Sequence, residues 1–136
     1  MLITDLYSRK IVGWDLSRSL AIEGSQRALK MALQTVGEPE KLIHHSDRGL
    51  QFCSPAYTNI LDSKKVAISM TEENHVYENA IAERVNGILK TEFMLGEKLQ
   101  SFQHAFNLTK QAIQTYNDQR LHTSLNYQTP AVTYAA

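Results

Sequence analysis

The 136-residue chain lacks most features of secreted or membrane proteins. Its one cysteine, Cys53, excludes an internal disulfide and suits a reducing compartment. No run of about 18 apolar residues is present, and the N-terminus lacks the apolar stretch of a signal peptide. We therefore expect a cytoplasmic protein with no membrane association.

A surplus of charge of either sign is also absent. The 14 Lys and Arg residues balance the 14 Asp and Glu residues, and neither half of the chain forms a basic or acidic tail. Net charge therefore gives no general attraction to nucleic acid. Any DNA binding must come from a local patch or from flanking domains.

Internal repeats and linkers rich in Pro, Gly or Ser are missing too. With 43% hydrophobic residues, a chain of this length can bury one core. The sequence therefore predicts a single domain over residues 1–136.

Apolar patterning predicts strands that alternate with helices, which is typical of an α/β fold. Strands are expected near residues 2–4, 10–15, 42–45 and 66–69. Helices are expected at residues 22–36, at 55–63, and through Glu83 to about residue 95. Ser101 should cap a last helix, with four side chains facing inward: Phe102, Phe106, Ile113 and Tyr116. The polar stretch 71–77 predicts a loop.

Two acidic residues stand in legible local patterns. Asp47 follows the apolar pair Leu42 and Ile43, so we expect it at the carboxyl end of a short buried strand. Glu83 lies in a helical pattern, and at about 100° per residue the apolar Val85 and Ile88 fall on the opposite face. Glu83 should therefore point away from the core.

A strand-end carboxylate and a helical carboxylate that meet in a shallow groove would suit a hard divalent cation, which prefers oxygen ligands and open positions for water and phosphate. The alternative is that both acids are ordinary solvated surface groups, and the spacing alone does not decide between these readings. His44 and His45 do not predict a zinc site, because neighbours on a strand point to opposite faces and no zinc-binding motif accompanies them.

Four ordered blocks of sequence go further. They lie at residues 5–14 (DLYSRKIVGW), 45–49 (HSDRG), 79–92 (NAIAERVNGILKTE) and 116–130 (YNDQRLHTSLNYQTP). Together they resemble the integrase-type catalytic core of bacterial insertion-sequence transposases, in the retroviral-integrase superfamily.

The resemblance implies a ribonuclease H-like fold, with a mixed sheet and flanking helices, and a triad of two Asp and one Glu that holds two Mg²⁺ or Mn²⁺ ions for DNA strand cleavage and transfer. By motif, Asp47 is the second acid and Glu83 the third, with 35 residues between them. Both are therefore candidate catalytic residues and metal ligands.

The first acid of the family's motif is expected to be missing. In the family it lies on a central strand that would precede Met1, so we expect an N-terminally truncated core that lacks this strand. Asp5 belongs by motif to a turn, where its side chain should cap backbone amides. Unpaired strand edges predict marginal stability, self-association or rescue by another chain.

The residues near the two acids are candidates for DNA binding. Lys90 could contact a phosphate, or it could pair with Glu92 or Glu97. Four others could contact DNA, although each could equally have a plain surface, helix-capping or loop role: Asn79, Asn86, Arg48 and Gln51.

Two functions remain open. The chain is either the core of a DDE-type transposase, inactive alone because one acid is missing, or a non-catalytic remnant that binds DNA or a full-length transposase and modulates it. The expected partners are DNA, as element ends and target, and further copies or a full-length transposase. The resemblance implies a bacterial cytoplasmic location at the nucleoid.

Overall fold

The computed structural model describes residues 1–71, 80–96 and 100–136, which fall into two compact units. The first unit comprises Met1–Ile3 and Gly13–Ala80, and the second comprises Thr4–Val12 and Ile81–Ala136. Within the described ranges, no helix has the length and apolar character needed to cross a membrane.

The strands form two separate two-stranded sheets. Strands β1 (Leu2–Thr4) and β2 (Ile11–Trp14) form one sheet, while β3 (Ile43–Ser46) and β4 (Ala67–Met70) form the other. In the second sheet the strands are parallel, with Ile43 opposite Ala67 at one end of the register. All four strands lie within one residue of their predicted positions. No strand pairing joins the two sheets in the part of the chain that the structure describes, which agrees with the interrupted sheet expected above.

Six α-helices occur in the described ranges: α1 (Ile22–Leu33), α2 (Leu50–Cys53), α3 (Pro55–Ser63), α4 (Ala80–Thr91), α5 (Phe102–Asp118) and α6 (Pro130–Ala135). Short 3₁₀ turns lie at Pro39–Lys41 and Thr123–Leu125. The prediction missed α2 and α6, and it placed the ends of α1 and α4 a few residues too late.

Side-chain caps define the starts of two predicted helices. The Ser54 hydroxyl accepts a hydrogen bond from the Ala56 amide at 3.2 Å, and Pro55 occupies the first helical position of α3. The Ser101 hydroxyl accepts from the His104 amide at 3.1 Å at the start of α5. Both predicted helix starts are therefore confirmed.

The core of the first unit forms between α1, α3 and the start of β4. Leu29, Tyr57, Leu61 and Val66 make one buried cluster, and the Phe52 ring packs edge-on against Tyr57 with centroids 5.4 Å apart. These contacts bury the apolar faces of α1 and α3, which supply the main stabilisation of this unit.

The fit of β2 against α1 depends on a glycine. A Cβ atom at Gly13 would overlap the carbonyl oxygen of Ala28 and would lie 2.9 Å from the Cβ of Ala32. Strand and helix therefore approach more closely than any side chain at position 13 would allow.

The prediction of a buried third strand is wrong. Ile43 is 71% exposed and Leu42 is 38% exposed. Along β3 the exposure alternates, because Ile43 and His45 lie on an open face while His44 and Ser46 lie on the covered one. An apolar run does not reveal which of its residues the pleat will direct outward.

In the second unit, burial on α5 is concentrated in its carboxyl-terminal half. Ala112, Ile113, Tyr116 and Asn117 are buried. Phe106, predicted to face inward, is 36% exposed, so that part of the prediction is wrong. Residues of α4 and the chain after α5 complete the buried set of this unit: Val85, Ile88, Leu89, His122 and Leu125.

Candidate active site

Asp47 is exposed and comes directly after β3, at the carboxyl end of the parallel β3–β4 pair. Its Oδ1 accepts a hydrogen bond from the Gly49 amide at 2.9 Å, which forms an Asx turn. A Cβ at Gly49 would lie 2.9 Å from that oxygen. The turn therefore orients the carboxylate and requires a small residue at position 49.

The loop that carries Asp47 is tied to the end of β4. The Thr71 amide donates to the Ser46 carbonyl at 2.9 Å, and the Arg48 Nε donates to the Thr71 carbonyl at 3.0 Å. Arg48 thus has a loop-holding role, which was one of its two predicted alternatives. A DNA contact by Arg48 stays a prediction.

Gln51 lies on the short helix α2 beside this loop and is half-buried. With Leu20, Ile22 and Leu50 it lines an open surface groove of the first unit. Leu20 is fully exposed and Leu50 is 90% exposed. The predicted contact of Gln51 with DNA remains untested.

Glu83 lies in the first turn of α4, where the helix dipole favours a negative charge. The side chains of Glu83, Asn86 and Lys90 are exposed, while Val85 and Ile88 are buried. The predicted helix face is therefore confirmed. The Asn86 Nδ2 donates to the Ala82 carbonyl at 3.0 Å, so this amide is partly engaged within its own helix.

Asp47 belongs to the first unit and Glu83 to the second. Their convergence on one cation therefore stays a prediction. Asn79, the remaining DNA-binding candidate, lies outside the described residues, as does most of the predicted loop at 71–77. Asp5 has the expected structural role, because its Oδ2 accepts hydrogen bonds from the Ser8 amide at 2.7 Å and the Ser8 hydroxyl at 2.6 Å.

Two family models, both described as the integrase core domain, match the sequence. One matches residues 1–75 and the other matches residues 64–130. The first of these alone covers more than half of the chain. The chain belongs to the integrase core family.

Relatives of this integrase core come from bacterial insertion sequences. The chain is 34% identical over 130 residues to the IS600 uncharacterized 31 kDa protein of Shigella sonnei, covering 95% of the chain and 48% of that protein. It is 30% identical over 126 residues to a putative transposase for IS986/IS6110 of Mycobacterium tuberculosis, covering 88% and 45%. The chain spans about half the length of these curated relatives. The core is thus of the type found in insertion-sequence transposases.

Solved structures show the same fold. The catalytic core domain of HTLV-2 integrase in complex with magnesium superposes with a TM-score of 0.70 at 19% identity, over 96% of this chain and 80% of that one. An intasome of simian T-cell lymphotropic virus, in complex with the PP2A regulatory subunit B56 gamma, also gives 0.70 at 19% identity, over 88% and 42%. The predicted ribonuclease H-like α/β fold is therefore confirmed.

The integrase core also contains a buried network that sequence reasoning missed. The Asn117 carboxamide forms two hydrogen bonds with the backbone of Ile11, accepting from its amide at 2.9 Å and donating to its carbonyl at 3.0 Å. A neighbouring strand would make the same pair of bonds, so Asn117 satisfies the edge of β2 at this residue. A polar residue next to Tyr116 on the apolar side of α5 was the available signal.

An ion pair at the end of α4 extends this network. Arg120 donates to both carboxylate oxygens of Glu92, at 2.6 and 2.7 Å. Hydrogen bonding from Arg120 lowers the pKa of Glu92. Glu92 was one of the two acids suggested as a partner of Lys90, and it pairs with Arg120 instead.

Proposed function

We propose that this integrase core is part of a transposase that cleaves and joins DNA strands by metal-dependent phosphoryl transfer. The observation that carries the proposal is the position of Asp47. Its exposed carboxylate lies at the end of a parallel strand pair, in a turn fixed by Gly49 and by the bond from Arg48 to Thr71. An oriented, solvent-accessible carboxylate of this kind can bind a hard divalent cation.

Asp47 and Glu83 would hold the metal, with Mg²⁺ or Mn²⁺ as the ion. Bound ions supply activation of the attacking oxygen and stabilisation of the leaving oxygen in phosphoryl transfer. The protein's own contribution is orientation: Gly49 fixes the Asp47 carboxylate, and the buried face of α4 directs Glu83 outward. Lys90 and Asn86, exposed on the same helix, would contact the DNA backbone.

These residues supply two acids of a motif that needs three. We infer that activity requires an acid from elsewhere in the protein or from another chain. The HTLV-2 integrase core has been solved as dimer and trimer, and the simian virus integrase within an intasome. By analogy we propose that this core works as an oligomer on DNA. A remnant that only modulates an intact transposase is the alternative outcome.

The metal site can be tested with Mn²⁺, which is paramagnetic and broadens nearby NMR signals. Titration should broaden the amide signals of Gly49 and Arg84 at the same Mn²⁺ concentration, because one site would hold both acids. Asp47→Asn and Glu83→Gln should each weaken Mn²⁺ binding by about tenfold or more in calorimetry, since each removes a charged oxygen ligand. Asp62→Asn, at an exposed acid of α3, is the matched control and should bind like the unmodified chain.

Unchanged Mn²⁺ affinity in Asp47→Asn would remove that residue from the site. Broadening near Gly49 alone would separate the two acids and contradict the shared site. The catalytic part is tested by DNA strand joining: the chain alone should be inactive, and joining should appear when a partner chain supplies the third acid. Joining that survives Asp47→Asn would overturn the proposed role. Capture by an intact transposase without Mn²⁺ binding would instead favour the remnant.

A further inference from the structure

Three arginines of the second unit surround one buried pair of rings. We name Arg9, Arg84 and Arg120 the arginine cluster, and the rings are those of Tyr116 and His122. The two rings pack edge to face with centroids 5.2 Å apart, and both residues are buried. They form a rigid apolar base beneath the three cations.

Arg120 is held by two neighbours. Its Nε and Nη2 bond Glu92, while its Nη1 lies 3.2 Å from the His122 Nε2. The Arg120 side chain is 22% exposed, so its guanidinium still reaches solvent. The bidentate pair fixes the plane of that guanidinium against the end of α4.

Arg9 is fixed in the loop between β1 and β2. Its backbone takes the left-handed conformation, with φ of 64°, and its amide donates to the Asp5 carbonyl at 2.9 Å. The Arg9 Nη1 donates to the Leu6 carbonyl at 2.6 Å. The Tyr116 hydroxyl donates to the Arg9 carbonyl at 3.1 Å. This last bond anchors the residue to the ring pair.

Arg84 lies on the stripe of α4 that leads to Glu92. Positions 84, 88 and 92 are four residues apart, so Arg84, Ile88 and Glu92 lie one above the other on this helix. Ile88 is buried, which turns the stripe toward the rest of the unit, while the Arg84 side chain is exposed.

The charges of this cluster do not cancel. The positive charges of Arg120, Arg84 and Arg9 all act on both rings, and Glu92 is the one carboxylate that opposes them there. Burial, followed by the charge of Arg120, lowers the pKa of His122, which therefore stays neutral near pH 7. Three guanidinium groups against one carboxylate leave two positive charges at one place, in a chain whose total charge is zero.

We propose that the arginine cluster binds the phosphate backbone of DNA, at a site separate from Asp47 and Glu83. Guanidinium groups match phosphate oxygens in geometry, and a fixed base lowers the entropy lost on binding. Arg84 and Arg9 make the contacts, while Arg120 adds charge from its place beside Glu92. The site supplies DNA attraction that the overall composition lacks. The proposal rests on the proposed function, because DNA is the substrate of that reaction.

The test is metal-free DNA binding by the whole chain. A fluorescein-labelled duplex of about two helical turns is titrated in EDTA, and its anisotropy is measured across a salt series. Arg84→Gln and Arg9→Asn should each weaken binding about tenfold, the effect of losing one charge-assisted hydrogen bond. Each should also reduce the slope of log affinity against log salt by about one. Asparagine is chosen at position 9 because it tolerates the left-handed backbone.

Two further variants give direction and control. Glu92→Gln removes the opposing carboxylate and should strengthen DNA binding, a gain that simple structural damage would not produce. Lys110→Gln, at an exposed lysine of α5 that is not among the charges acting on the rings, should leave affinity unchanged. Binding in Arg84→Gln and Arg9→Asn that equals the unmodified chain, or no DNA binding in EDTA at all, would overturn the proposal. Because no metal is present, these outcomes are independent of the Mn²⁺ test of the catalytic site.

Discussion

Asn117→Ala should destabilise the second unit well beyond an ordinary helix substitution. Ile11 is 3% exposed, so its amide and carbonyl would be left buried without the two bonds that Asn117 makes. An unsatisfied buried polar group costs about 1–3 kcal/mol, so the two together should cost roughly 2–4 kcal/mol. That is a large share of the ~5–15 kcal/mol by which most domains are stable.

Urea unfolding followed by circular dichroism measures this loss, and with a typical slope the midpoint should fall by roughly 1–2 M. Hydrogen exchange at the Ile11 amide should accelerate as well, because that amide loses its acceptor. Asn107→Ala, on the exposed side of the same helix, is the control and should change stability by less than about 0.5 kcal/mol. If Asn117→Ala unfolds at the same urea concentration as the unmodified chain, the strand-substitute role is refuted.

Three other perturbations follow from the structure. Gly13→Ala should cost about 1–3 kcal/mol in thermal unfolding, since the new methyl overlaps a backbone carbonyl of α1, whereas Gly37→Ala has open space and should be near neutral. Because burial lowers the pKa of His122 below its ordinary 6.5, the unfolded state binds the proton more readily. Stability should therefore fall as pH drops below about 6.5, and His122→Asn should reduce that dependence; an unchanged pH profile would contradict it. A double-mutant cycle of Glu92→Gln and Arg120→Gln should give a coupling of about 1 kcal/mol, and strict additivity would deny the ion pair any role.

Periodic features of the fold could be predicted from the sequence. The outward face of α4 follows from Val85 and Ile88, whose burial leaves Glu83 and Lys90 exposed. The cap at Ser54 follows from local chemistry that involves only neighbouring residues. Such features depend on a few adjacent positions, which is why composition and spacing suffice to find them.

Features that depend on partners distant in sequence could not be predicted. Asn117 and Ile11 are 106 residues apart in the chain, and nothing local marks them as partners. The exposure of Ile43 was mispredicted for a similar reason, because burial of a strand face depends on what covers it and not on the strand's own apolar content. For the candidate site, the sequence indicated the acids, while the turn at Gly49 and the bond from Arg48 to Thr71 required coordinates.

The ion pair at one end of α4 bears on the carboxylate at the other. Glu83 and Glu92 are nine residues apart, so a rise of 1.5 Å per residue separates them by about 13 Å along the helix axis. If α4 tilted by about 10° around a fixed Glu83 end or a loosened Glu92 end, the opposite residue would move by roughly 2 Å. A displacement of even 1 Å at a catalytic group can cost about 10²-fold in rate. An acid at the carboxyl end of a helix is also disfavoured by the helix dipole. The bidentate bond from Arg120 offsets this cost, so the gain from Glu92 at this position lies in fixing α4, and with it the direction in which Glu83 points.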